Sequence, residues 1–199
     1  MNDPRPVHGP PDEGQTPLDP DEAQGLIPSW IRTRGDLNEA EATNLTEAYR
    51  WADRALGRGE EVANEGFLRG LHAAMFGQVW RWAGTFRTSE RNIGVAPHQI
   101  ATQVRQLFDD TRAWRGYQAY DLDGQAVRLH HHLTRIHPFP NGNGRASRLM
   151  ADYYRVQQGA APFKWGQDLT PDIARRDYLQ ALRAADAGDY APLQRFVGG

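Results

Sequence analysis

The chain has 199 residues, 39% of them apolar, with six Trp, seven Tyr and seven Phe: enough for one packed domain and too aromatic for wholesale disorder. No window approaches the roughly 18 uninterrupted apolar residues of a membrane span, no basic stretch followed by an apolar run marks a secretory leader, and the lack of cysteine excludes disulfides, thiolate metal sites and a cysteine nucleophile, so a cytoplasmic protein is the default expectation. The formal net charge of −2 argues against bulk binding to a nucleic-acid backbone.

In chain order, residues 1–25 read as a disordered, acidic, proline-rich tail: seven of the thirteen prolines lie within residues 1–28, and Asp3, Asp12, Glu13, Asp19, Asp21 and Glu22 face Arg5 alone. The rest of the chain is therefore net positive. Lys164 is the one lysine among the 23 basic residues, so nearly all the cations are guanidiniums, which suit forked contacts to phosphate. Order is expected to begin near Leu26, Ile27 and Trp30, docked on the body.

Residues 26–59 form an N-terminal helical segment. Asp36 with Glu39 resembles a capping box, Ala40, Ala48, Trp51, Ala52 and Ala55 recur at helical spacing, and Gly57 and Gly59 end the run. The main domain is expected over residues 60–197. It opens with a helix over 65–79, carrying Leu68, Leu71, His72, Met75 and Val79 on one stripe. Residues 80–96 break that period, and their β-compatible pieces around a polar centre predict a short hairpin or flap. Pro97 suits the first turn of a helix bearing Ile100, Val104, Leu107 and Phe108. Further helices are expected over 124–136, from about 143 through Ala146, Leu149, Met150 and Tyr153, and after Thr170-Pro171-Asp172. The fold class is mainly α with one small β element.

One segment stands apart: Ile136-His-Pro-Phe-Pro-Asn-Gly-Asn-Gly-Arg-Ala-Ser-Arg148, between two helical patterns. Pro138 and Pro140 stop the first helix, and Gly142 and Gly144 permit backbone conformations closed to other residues. Amides opening the next helix converge where its dipole is positive, which makes a nest for an anion. Arg145 and Arg148, three apart, project from one face as a fork for phosphate oxygens. His137 stands across the loop as a candidate proton acceptor. Base, nest and two guanidiniums point to phosphoryl or nucleotidyl transfer. The Gly-Lys-Ser/Thr ending of a Walker loop is absent, and His130, His131 and His132 are adjacent, so on a helix they splay rather than share a metal. A plain Asn-Gly-Asn-Gly turn beside a structural histidine is the alternative reading of the same residues.

His137-Pro138-Phe139-Pro140-Asn141-Gly142-Asn143-Gly144-Arg145-Ala146-Ser147-Arg148 resembles the signature of Fic domains, His-x-Phe-x-(Asp/Glu)-Gly-Asn-Gly-Arg-x-x-Arg, at every specified position except Asn141. Trp82 to Arg87 is similar to the lead-in of that family's hairpin flap. Tyr178 to Leu182 and Asp186 to Tyr190 are similar to its C-terminal helices. The Pro-Asn form of the loop resembles, more loosely, the bacterial mobile mystery protein B subgroup. The resemblance implies a Fic-type helical bundle with a short β-hairpin flap, and transfer of AMP from ATP, with Mg2+, to a Ser, Thr or Tyr hydroxyl of a protein target.

By the same resemblance His137 takes the hydroxyl proton, and Gly142, Asn143 and Gly144 surround the phosphates. Arg145 and Arg148 hold the β- and γ-phosphates, and Phe139 anchors the loop. Thr88, Ser89, Glu90, Arg91, Asn92, Ile93, Gly94 and Val95 form a flap that registers an extended target segment. The resemblance further implies a toxin-like or regulatory role, with a regulatory or antitoxin-like partner; the lack of an apolar span and the net charge leave neither membrane nor direct nucleic-acid contact expected.

Asn141 stands where the family carries the carboxylate that holds magnesium, and a neutral carboxamide is a weaker ligand. Because His137 and both arginines are intact, the expectation is that activity survives with the metal held mainly by the nucleotide; loss of catalysis, leaving a nucleotide-binding or interaction module, and transfer of a different phosphate-containing group are the alternatives. Family members are also held off by a glutamate on an inhibitory helix, paired with the second motif arginine, here Arg148. Thr43 to Glu47 fits half of that pattern. Glu47, or Glu41 or Glu39 on the same helix, are the candidates, with solvated surface charges as the alternative.

Overall fold

The computed structural model describes residues 25–198, so the tail expected over 1–25 lies outside the described residues save for Gly25. Seven α-helices follow in order: α1 (Arg34–Gly57), α2 (Glu65–Phe76), α3 (Ile100–Tyr117, entered through a 3-10 turn at Pro97–Gln99), α4 (Leu122–Ile136), α5 (Asn143–Gln157), α6 (Pro171–Asp186) and α7 (Ala191–Gly198). The mainly α class read from the sequence is the class observed.

Helix starts follow local chemistry. The α1 cap lies three residues upstream of the expected one: Thr33 Oγ1 accepts from the Asp36 N–H at 3.1 Å, and Asp36 Oδ2 accepts from the Thr33 N–H at 2.9 Å. Asp36 is thus the returning partner of a capping box rather than its cap. Asn64 caps α2 through the Phe67 N–H at 2.8 Å, and Asp121 caps α4 through the Gly124 N–H at 2.7 Å. Helix α2 stops at Phe76, and Val79 and Trp80 close a turn onto its last carbonyl.

Helices α4 and α5 pack closely together at the centre; α3 covers α4, α2 lies against both α1 and α5, and α6 packs on α7, which returns to α4. Ala48, Ala52 and Ala55 let α1 approach α2, where Phe67, Leu68, Leu71 and Met75 are buried. Burying side chains of that size is worth about 1.5–3 kcal/mol each, so this contact fixes where α1 lies.

The hairpin expected over 80–96 is corrected by the structure. That segment carries no strand ladder; the β-bridge among the described residues joins Leu26 to Trp80. A loop replaces the hairpin, two of its carbonyls, those of Ser89 and Val95, being taken by the buried Arg87 side chain. The segment at Leu26 docks as expected, with Ile27 N–H on the Val79 carbonyl and Arg81 N–H on the Gly25 carbonyl, both at 2.8 Å. Trp30, however, is 56% exposed, so backbone pairing rather than this indole anchors the segment.

Candidate active site

The connection between α4 and α5 holds the motif. His137 ends α4 in the left-handed conformation (φ 53°, ψ 60°), its N–H donating to the Leu133 carbonyl at 3.0 Å. This turn leaves the Ile136 and His137 carbonyls pointing away from the helix. Arg87, 3% exposed, collects them: its Nε donates to the His137 carbonyl at 2.7 Å, Nη2 to the carbonyls of Ile136 and Val95, and Nη1 to that of Ser89 at 3.0 Å. One guanidinium thereby ties the 88–95 loop to the histidine. Gly94 makes the closest approach, at φ +102°, where a Cβ would lie 2.6 Å from both Arg87 and the His137 side chain.

His137 is nearly buried, and its Nδ1 has no hydrogen-bond partner among the described residues. Burial, then the Arg87 and Arg91 guanidiniums, push it from the usual 6.5 to about 4. At neutral pH the imidazole is therefore uncharged and able to accept a proton.

The rest of the loop is braced from inside. Phe139 is fully buried, its ring stacked 3.7 Å from that of His72. The Asn143 carboxamide brackets the Phe139 peptide unit, accepting from its N–H and donating to its carbonyl, each at 2.8 Å. His72 bridges two loops: its Nδ1 accepts from the Gly84 N–H and its Nε2–H donates to the Asn141 carbonyl, both at 3.0 Å. That pairing fixes the tautomer, and burial holds His72 at about 3 and hence neutral. The Asn141 Oδ1 accepts from the Gly142 N–H at 2.6 Å.

Gly142 is the α5 N-cap at φ +77°, where a Cβ would meet the Phe76 ring at 2.5 Å. Having no side chain, it caps nothing, and the first-turn N–H groups face a cavity of about 610 Å³. His137, Asn141 to Arg145 and Arg148 all line this cavity, so the motif converges on one space as expected. Asn143 shapes the loop with its side chain and leaves only its backbone to the cavity. Arg148 lies 4.5 Å from the Tyr178 ring centroid with its Nε buried and unpartnered. Arg145 lies over Phe76 and pairs with Glu41 at 2.7 Å.

Glu41 is 5% exposed, and its other oxygen accepts from the Trp80 indole N–H at 2.9 Å. Of the candidate glutamates on α1, Glu41 alone reaches the motif, and it meets Arg145 rather than Arg148. Glu47 instead pairs with Arg50 on the outer surface at 2.6 Å, and Glu39 is exposed. Of the flap residues, Ile93 lines the cavity and is 57% exposed, Arg91 Nη1 donates to Ser89 Oγ at 2.8 Å, and Thr88, Glu90 and Asn92 face outward.

Sequence reasoning missed Arg87 and the bracing role of His72. Each had a faint signal: an arginine inside an apolar lead-in, and a histidine on a core-facing stripe. It also passed over Asp152, which holds the Phe163 N–H and the Trp165 indole that borders the cavity, at 3.0 and 2.9 Å.

Residues 63–154 match the model of the Fic/DOC family. The protein adenylyltransferase Fic of Drosophila grimshawi is 36% identical over 162 residues, covering 79% of this chain and 32% of that protein. Protein adenylyltransferase fic-1 of Caenorhabditis briggsae is 30% identical over 122 residues, 58% of this chain and 22% of that protein. The chain thus spans between about a fifth and a third of these curated relatives. The structure of Fic-1 from Caenorhabditis elegans (residues 134–508) superposes with a TM-score of 0.68 at 25% identity, covering 94% of this chain and 56% of that one. An N-terminal Fic domain from Bartonella quintana gives 0.63 at 19% identity, a likeness of fold. With the family model ending on α5 and the shared fold running through the C-terminal helices, the chain is a Fic domain protein.

Proposed function

We propose that this chain is a protein adenylyltransferase, moving AMP from ATP to a hydroxyl side chain of a protein target. The observation that carries the reading is the convergence, in one cavity, of an uncharged His137, an uncapped helix N-terminus and the guanidiniums of Arg145 and Arg148. Its relatives' shared activity supports the same reading.

In this reaction His137 accepts the proton of the incoming Ser, Thr or Tyr hydroxyl. The freed oxygen attacks the α-phosphorus, the bond to the β-phosphate oxygen breaks, and pyrophosphate leaves. Arg145, Arg148 and the backbone N–H groups of residues 143–145 hold the phosphates and meet the charge that builds on the leaving group. An arriving polyphosphate also raises the proton affinity of His137, which otherwise sits among cations. The 88–95 loop, tethered to His137 through Arg87, presents the target backbone. Glu41 holds Arg145 away from phosphate and acts as the inhibitory residue of α1.

The residues present do not fit a protein-held magnesium. Glu41 is the single carboxylate lining the cavity among the described residues, and it is committed to Arg145 and Trp80.

The test is intact-mass spectrometry of purified protein incubated with ATP, alone and with cell lysate, beside His137→Ala. A gain of one AMP mass on any protein, lost in the variant, is expected. A gain of one phosphate mass would replace adenylyl with phosphoryl transfer. Nucleotide binding with no product from wild type or Glu41→Gln would leave a binding module in its place.

A further inference from the structure

The side chains around the phosphate nest decide how a nucleotide would be neutralised. Three guanidiniums line the cavity: Arg145, Arg148 and, from α6, the exposed Arg175. A bound Mg2+ demands near-octahedral oxygen ligands and usually draws on one or two carboxylates besides the phosphates. Here no uncommitted carboxylate lines the cavity among the described residues, and the neutral side-chain oxygens at hand are held by hydrogen bonds within the protein. Asn141 Oδ1 takes the Gly142 N–H, so turning it toward a cation strips the helix cap of its acceptor. Asn143 is locked to Phe139, and the Thr134 hydroxyl donates to the His130 carbonyl at 3.0 Å and meets Ser147 Oγ at 3.1 Å. The Tyr178 hydroxyl pairs with His130 Nε2 at 3.1 Å. Apart from His137 Nδ1, the cavity-lining group left without a partner among the described residues is a cationic donor, the buried Arg148 Nε.

We infer that the site takes its nucleotide as the metal-free polyanion, the guanidiniums and the α5 N-terminus supplying the neutralisation, and that residue 141 decides this. The inference rests on the adenylyltransferase reading for its ligand, ATP, and concerns the form in which that ligand binds. A carboxamide at 141 keeps the loop's internal hydrogen bond without adding negative charge. A carboxylate there would make the same bond with one oxygen and offer the other, charged, to a cation.

The experiment is isothermal titration calorimetry of the full chain with ATP, in excess EDTA and in excess MgCl2, for wild type, Glu41→Gln and Asn141→Asp. Gln at 41 keeps an acceptor for the Trp80 indole and releases Arg145. Wild type and Glu41→Gln are expected to bind ATP in EDTA as tightly as with magnesium, or tighter, within about threefold. Both affinities are expected to fall as ionic strength rises. Asn141→Asp is expected to bind at least about tenfold tighter with magnesium than in EDTA. Wild-type binding improved about tenfold or more by magnesium would overturn the inference and leave the adenylyltransferase reading standing. Asn141→Asp as indifferent to magnesium as wild type would overturn the role given to residue 141. No ATP binding by wild type or Glu41→Gln in either condition would overturn both.

Discussion

At the scale of single residues, the loop spends conformational energy to aim its histidine. A left-handed backbone costs a residue with a side chain about 1–2 kcal/mol, and His137 is held there by the bonds of its carbonyl to Arg87 and of its N–H to Leu133. Asparagine tolerates that conformation, so His137→Asn separates chemistry from fold. It is expected to lower transfer at least about 100-fold while leaving the melting temperature near that of wild type; transfer within tenfold of wild type would remove His137 as the base. Asn143 serves the opposite end of the loop. Asn143→Ala leaves the buried Phe139 N–H and carbonyl without partners, an expected loss of about 2 kcal/mol or more in urea denaturation. A loss below about 0.5 kcal/mol would mean that water or a backbone shift replaces the bracket.

At the scale of elements, α1 is both a packing helix and a carrier of charge. Its alanine face settles on α2 and thereby delivers Glu41 to Arg145, while Glu47, on the same helix, stays outside with Arg50. Glu41→Gln is expected to raise transfer and nucleotide affinity several-fold by releasing Arg145; Glu47→Ala is expected to change neither by more than about twofold, since exposed pairs are worth little. Equal effects of the two variants in a nucleotide-binding titration would count against inhibition through Glu41. The 80–96 segment shows the same dependence on a neighbour. Its sequence reads as strands, but a ladder needs a partner strand, and here the buried Arg87 takes the Ser89 and Val95 carbonyls instead.

At the scale of the whole molecule, a core built around uncharged histidines makes stability sensitive to acid. His72 and His130 are held at about 3, and His132 and His137 at about 4, burial being the first cause in each. Against an unfolded value near 6.5 the native state binds fewer protons, so their contribution is complete above pH 6.5 and is lost as pH falls toward 4. Asp152 runs the other way: burial raises it to about 6, so the native state gains from its protonation as pH falls below that value. His131 is lowered as well, again first by burial, so five histidines oppose Asp152, and the melting temperature is expected to fall steadily between pH 6.5 and 4. A flat or rising melting temperature in that window would contradict the buried neutral imidazoles.

The sequence by itself determined what is local. The helices were legible because burial imposes a 3.6-residue period on contiguous residues, and the candidate site was legible because His137, the glycines and the two arginines lie within twelve consecutive positions. Asn141 stood out only against the family signature that the loop resembles, which has a carboxylate at that position. Only the tertiary structure decided what surrounds that loop: that Arg87 rather than a strand holds the flap, that His72 braces Phe139 and Asn141, and that Glu41 rather than Glu47 meets an arginine of the motif, Arg145 rather than Arg148. Those contacts join residues far apart in the chain. Their partners are chosen by how packed helices rotate and approach, and no spacing within one segment records that choice.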